Sequence, residues 1–218
     1  MAGKITGLSV QKRTADRVNV YLDGQFAFGL PAIHAARLKV GQQLSDGEIE
    51  QLQATDLVER VYDRSVRFLG YRPRSEAEVR RYLAQKGNEP AVIDLVLDRL
   101  RGQGYLDDTE FARYWVENRT RFKPRGVRAL RHELRLKGVD SAVIEEATSS
   151  LEFDSLAYEA GRPQAERLAA LAQSDPAAFR RRLLAFLMRR GFDYAEAREA
   201  VNELARSVDD ESLPEADE

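Results

Sequence analysis

Residues 71–87, YRPRSEAEVRRYLAQKG, and residues 122–138, FKPRGVRALRHELRLKG, are two versions of one pattern. One offset of 51 lays Tyr71-Arg72-Pro73-Arg74-Ser75 on Phe122-Lys123-Pro124-Arg125-Gly126, Val79 on Leu130, Leu83 on Leu134, and Lys86-Gly87 on Lys137-Gly138. Apolar residues four apart on a charged background predict an amphipathic helix, and a glycine just after a basic residue is the preferred left-handed stop. A further shift of 53 brings Leu183, Leu187 and Arg190-Gly191 into the same places, so a third, more divergent copy is expected.

The flanking segments repeat with it. Ile93, Val96 and Leu100 map onto Ile144, Ala147 and Leu151, then onto Ala197, Ala200 and Leu204, an i, i+3, i+7 stripe. Each of these helices has a start signal two residues past the glycine: Glu89 before Pro90, Asp140, and Asp193 with Glu196 three residues later. A preceding helix is expected in each copy over 55–69, 108–122 and 155–172, carrying Leu57, Val61 and Phe68, then Phe111, Trp115 and Phe122, then Leu156, Leu168 and Leu171. Three helices of this size hold more apolar surface than one unit hides, so neighbouring units should stack into an elongated, curved body.

The first thirty residues follow a different period. ITGLSVQKR, RVNVYLDG and QFAFGL alternate apolar and polar residues, and Asp23-Gly24 supplies a tight hairpin turn, so a small antiparallel meander is expected. Helices are expected around PAIHAARLKV and from Ser45 or Asp46. The fold class is therefore mainly α, three tandem three-helix repeats behind a small sheet. The expected domains are 1–56 (meander plus helix), repeats at 57–106, 107–153 and 154–206, and an acidic, disordered tail at 207–218.

Composition removes whole classes of chemistry. The chain has no cysteine, which excludes disulfides, thiolate metal sites and cysteine nucleophiles, and only two histidines, His34 and His132. No stretch approaches the ~18 apolar residues a membrane span needs, and MAGKITGLSV lacks the apolar run of a secretory signal, so a cytoplasmic protein is expected. Asp107-Asp108 is the one carboxylate pair that invites an acid–base reading, but it sits where a helix begins and reads as a cap. Trp115 and Phe122, seven residues apart, suit a core as well as a base-stacking platform, and the core reading is preferred. Tyr71 and Tyr105 are read as packing between units. No metal, cofactor or catalytic residue is expected.

The net charge of −2 hides an uneven distribution. Residues 119–137 hold eight basic residues against Glu133 alone, while Asp209–Glu218 is almost wholly acidic. On the helix after Pro124, Arg128, Arg131 and Arg135 form a stripe beside the apolar face of Val127, Leu130 and Leu134, and Lys123 and Arg125 extend it. This stripe is the expected contact for an anionic surface, either phosphate or acidic protein, with Arg80 and Lys86 of the first copy in support. In the third copy Arg180, Arg181, Arg182, Arg189 and Arg190 scatter around the wheel.

The segment GYLDDTEFARYWVENRTRFKPRGVRALRHELRLKGVD resembles the RecX family of recombinase regulators. The matching pieces are Gly104–Asp108, Phe111-Ala112, Lys123–Gly126, Leu130–Gly138 and the helix after Asp140; RPRSEAEVRRYLAQKG resembles the family's first repeat, and the third copy fits more loosely. The resemblance covers about residues 57–205, and the first strands resemble a segment that longer members carry. It implies a protein that binds the RecA recombinase, chiefly as a filament on single-stranded DNA, and inhibits its ATPase and strand exchange. Recombination, DNA repair and the SOS response would be modulated in that way. The expected partners are thus the RecA filament and single- or double-stranded DNA, with the protein a monomer. The rival reading, a helix-turn-helix transcription regulator, needs a base-reading helix, and no Asn or Gln occurs between Pro124 and Gly138.

Overall fold

The computed structural model describes residues 2–11, 14–149 and 153–210. The chain divides into two compact units, one of Met1–Arg74 with Val79–Leu106, the other of Ser75–Glu78 with Asp107–Glu218.

The first unit opens with β1 (Gly3–Gln11), β2 (Thr14–Leu22) and β3 (Gln25–Pro31), followed by α1 (Ala32–Ala35), β4 (Gln43–Leu44) and α2 (Asp46–Leu69). The sheet order is β3-β2-β1-β4, antiparallel throughout. Asp23 and Gly24 both have positive φ, 46° and 84°, which is the conformation the tight β2–β3 turn demands. β4 is too short to leave a period in the sequence. Ile5, Val20, Phe28 and Leu30 from the sheet close a core with Ala35, Leu44 and Ile49.

α2 starts with a full capping box: the Glu48 N–H donates to Ser45 Oγ at 3.3 Å, and the Ser45 N–H donates to the Glu48 carboxylate at 2.8 Å. Nothing between Glu48 and Leu69 stops the helix, since the segment contains neither glycine nor proline. It therefore runs unbroken through the domain boundary expected at 56/57. Leu57, expected to face inward, is 37% exposed; Val61 is buried. α3 (Glu76–Gln85) and α4 (Pro90–Gly102) follow. Val79, Leu83, Ile93, Val96, Leu97, Leu100 and Leu106 are buried with Val61, and Phe68 stacks on Tyr82 at 3.9 Å between ring centroids.

The second unit contains α5 (Asp108–Phe122), α6 (Val127–Leu136), α7 (Ser141–Thr148), α8 (Phe153–Arg167), α9 (Ala169–Ser174), α10 (Pro176–Arg189) and α11 (Tyr194–Asp210). The helix expected over 155–172 is in fact α8 and α9, separated at Leu168, whose φ of −102° and ψ of 7° leave the helical region. Leu130, Leu134 and Ile144 close one core with Phe111 and Val116, and Phe179, Leu183, Leu187, Phe192 and Leu204 another. Complete burial of each leucine is worth about 1.5–3 kcal/mol. Leu151 and the acidic residues 211–218 lie outside the described residues.

The recurring glycine has one physical role. Gly87, Gly138 and Gly191 all have φ between 76° and 90°. Each donates to the carbonyl three residues back (Ala84, Arg135, Met188). The following residue donates to the core leucine carbonyl, Asn88 to Leu83, Val139 to Leu134, Phe192 to Leu187. This is the paired hydrogen-bond closure of a left-handed helix stop, made three times.

Candidate functional site

α6 is positioned from both ends. At its start the Gly126 N–H donates to the Arg190 carbonyl at 3.1 Å, and a Cβ on Gly126 would overlap the Gly191 carbonyl and Phe192 nitrogen. Only glycine permits the end of α10 to come this close. At its other end the Ser75 hydroxyl donates to the Lys137 carbonyl at 2.6 Å, and Lys137 Nζ lies 2.9 Å from Glu78. Leu130 and Leu134 are fully buried, which fixes the rotation of the helix and turns the next stripe outward.

That stripe is not uniform. Glu133 does not interrupt the basic face; its carboxylate, with a side chain only 16% exposed, accepts from Trp115 Nε1 at 2.8 Å and Arg119 Nε at 2.8 Å, and pairs with Arg125 at 3.1 Å. Arg131 is held by Glu145 at 2.5 Å and by Thr148 Oγ1 at 3.0 Å. Lys123, Arg128 and Arg135 are exposed and make no ion pair or side-chain hydrogen bond among the described residues. The five expected contact residues thus separate into three free cations and two internally neutralised ones.

In the first unit Arg80 is exposed but paired with Asp94 at 2.5 Å, and Lys86 is exposed with its ammonium 5.7 Å from the Tyr82 ring. Beside the start of α6, Arg190 has its pKa lowered, first by burial and then by the charge of Arg125. Its guanidinium also lies 4.6 Å from the Phe186 ring.

Asp107 is the N-cap of α5, accepting from Thr109 and Glu110. Asp108 serves a different helix: its carboxylate accepts the Glu76 N–H at 2.8 Å. Burial raises the Asp108 pKa, and the Glu76 bond offsets part of that. Trp115 packs on the α5–α6 core with Lys137 and Arg119 over its ring. Phe122, expected in the core, is 66% exposed, because α5 ends there and its last buried residue, Val116, lies nearly two turns earlier. Tyr71 is 84% exposed and Tyr105 is 52% exposed, so neither ring is buried. His34 lies 3.6 Å from Glu59, and His132 is exposed. Among the described residues no group of three His, Asp or Glu could hold a metal ion, and no helix is long and apolar enough to cross a membrane.

One feature was hidden by the helical wheel. α10 contains four arginines and no acidic residue, and Arg181, Arg182 and Arg189 line a single cleft with Gln164, Leu168, Ala185 and Phe186. The absence of acids from 176–190 was the available signal.

Comparison with known proteins gives matches along most of the chain. Residues 3–45 match the regulatory protein RecX N-terminal domain, and residues 62–100, 107–147 and 155–201 match the first, second and third three-helix domains of RecX. The chain is 33% identical to "Regulatory protein RecX" of Bacillus subtilis (strain 168) over 214 residues, covering 97% of this chain and 81% of that protein. It is 28% identical to the protein of that name from Listeria monocytogenes (strain EGD-e), covering 94% and 77%. A crystal structure of a regulatory protein RecX superposes with a TM-score of 0.74 at 25% identity, covering 94% of this chain and 99% of that one. RecX from Lactobacillus salivarius shares the fold, with a TM-score of 0.60 at 23% identity over 67% and 96%.

Proposed function

This chain belongs to the RecX family of regulatory proteins, and from that premise we propose that it binds the RecA recombinase as the filament on single-stranded DNA and restrains ATP hydrolysis and strand exchange. It does so without chemistry of its own, as a cytoplasmic monomer, and thereby modulates recombination, DNA repair and the SOS response. The observation that carries this reading is the set of free cations at α6, Arg128 and Arg135 on the helix and Lys123 at the end of α5 just before it, with the helix's other face fixed by Leu130 and Leu134. Cations without internal partners on a rigid element lose little on meeting an anionic partner, and they steer its approach.

Arg125 and Arg131 belong to the same surface in this proposal, but they contribute by holding α6 in place through Glu133 and Glu145. Arg80 and Lys86 are supporting contacts of the first unit. A transcription regulator is less well supported, since α6 carries no Asn or Gln for base edges. The reading is tested by co-sedimenting the protein with RecA filaments assembled on single-stranded DNA with a slowly hydrolysed nucleotide. The native chain should pellet with the filament and Arg128→Glu/Arg135→Glu should not; a native chain left in the supernatant overturns the proposal.

A further inference from the structure

α10 presents an unusual surface for a chain of net charge −2. Arg180, Arg181, Arg182 and Arg189 are all exposed, and none makes an ion pair or side-chain hydrogen bond among the described residues. Elsewhere the second unit neutralises its cations locally, as Arg113 does with Glu146, Arg119 with Glu133 and Arg131 with Glu145. Arg181, Arg182 and Arg189 line one cleft, together with Gln164 of α8 and Leu168, where α8 gives way to α9. Among the described residues no carboxylate lines it. Its volume is about 390 Å3, at the small end of the range of ligand clefts, roughly 300–1,000 Å3. Like charges gathered without a counter-charge repel one another, so an anion that enters the cleft relieves the repulsion.

The order of groups along the cleft narrows the choice of anion. Arg182 and Arg189 are seven residues apart, which puts them on one face of α10 and about two turns, ~10.5 Å, from each other along the helix. Between them on that face stand Ala185 and Phe186, both half-buried, and Leu168 completes an apolar floor. Cation, apolar floor, cation is the complement of phosphate, nucleoside, phosphate. The planar guanidinium meets a phosphate with two parallel N–H groups. Gln164 is half-buried and its side chain makes no hydrogen bond among the described residues, and an amide both donates and accepts, as the edge of a base requires. Protein surfaces usually intersperse charges of both signs, whereas a nucleic-acid strand carries one sign at every unit. A base in a duplex is paired and stacked and cannot enter a cleft of this size; an unpaired base can.

We propose that the α10 cleft binds single-stranded nucleic acid. Arg182 and Arg189 each hold a phosphate, Arg181 adds a second guanidinium at the Arg182 end, and the nucleoside between the phosphates lies on the floor of Leu168, Ala185 and Phe186, within reach of the Gln164 amide. The site is on a different helix from the α6 cations, and the proposal does not rest on what those cations bind.

The test titrates the 15N-labelled full chain with a short oligothymidylate at about 50 mM salt, where charge contacts are only partly screened, and follows the arginine Nε–Hε resonances. The Arg181, Arg182 and Arg189 signals should shift and saturate, while Arg180, on the same helix but outside the cleft, should move much less. Duplex DNA of the same length and poly-glutamate should not saturate them. In parallel, fluorescence anisotropy compares binding of the labelled oligonucleotide to the native chain and to Arg182→Ala/Arg189→Ala. Neither arginine has an internal contact to lose among the described residues, so the melting curves should coincide. Affinity should fall about tenfold or more, and the slope of log affinity against log salt should become shallower by about 1.4, two phosphates at about 0.7 each. Cleft signals that the oligonucleotide leaves unmoved overturn the proposal, as does an unchanged salt slope. Saturation by poly-glutamate would make the cleft a site for acidic protein, and equal saturation by duplex DNA would take the nucleoside out of it; either result also overturns the proposal.

Discussion

The Trp115 indole N–H donates to the Glu133 carboxylate at 2.8 Å, joining α5 to α6 through a group that also holds Arg119 and Arg125. The glutamate that interrupts the basic run in sequence is what fixes that helix in place. Removing it leaves three donors without an acceptor, two of them largely screened from water. Glu133→Ala should cost about 2 kcal/mol or more, against much less for Glu133→Gln, which keeps an acceptor oxygen. Trp115 is the only tryptophan in the chain, so its fluorescence during urea unfolding reads this site directly. Equal stability of the alanine variant and the native chain would contradict the assignment.

The glycines should separate into two classes. Gly87 has φ of 76° and open space where a side-chain methyl would stand, so Gly87→Ala carries only the backbone penalty, about 1–2 kcal/mol. Gly191→Ala would also place its Cβ 2.5 Å from Ala129 Cβ, and Gly126→Ala would overlap the backbone at Gly191. Both should destabilise the second unit by more than Gly87→Ala destabilises the first, as measured by circular dichroism during denaturation.

Asp108 should weaken the fold as it ionises. Its folded-state pKa lies above the ordinary value, chiefly through burial, so the folded chain holds the proton more tightly than the unfolded chain does. Stability therefore falls as pH rises from about 4 through the raised pKa. Asp108→Asn keeps an oxygen for the Glu76 N–H and removes the buried charge. It should match or exceed the native melting temperature at pH 7, with the difference shrinking toward pH 4. A clear loss at pH 7 would show that the charge itself is needed at the start of α3.

The α6 cations should divide by their partners. Arg128→Glu with Arg135→Glu should abolish action on the partner at unchanged thermal stability, since neither arginine has an internal contact to lose among the described residues. Arg131→Glu should lower stability as well, because it faces Glu145 at the position where the native guanidinium pairs. Parallel melting curves and partner-binding assays on the two variants check the division.

Much of this architecture was legible in the sequence because it rests on local rules. Gly87, Gly138 and Gly191 announce positive φ, Asp107 and Asp140 cap the helices they precede, and Val79, Leu83, Leu130 and Leu134 repeat at core spacing. What was not legible depends on neighbours distant in sequence. Phe122 fits the helical period yet lies past the end of the core, and α2 runs straight through a boundary inferred from where the repeat begins. The sequence groups Arg125, just before α6, and Arg131 with Arg128 and Arg135 in one stripe. Only the positions of Glu133 and Glu145 show which charges are already neutralised.

The most direct test is the rate of ATP hydrolysis by RecA on single-stranded DNA, measured with this protein at substoichiometric amounts. The native chain should depress the rate, and the Arg128→Glu/Arg135→Glu chain should leave it near the uninhibited level. An unchanged rate with the folded native chain would contradict the account.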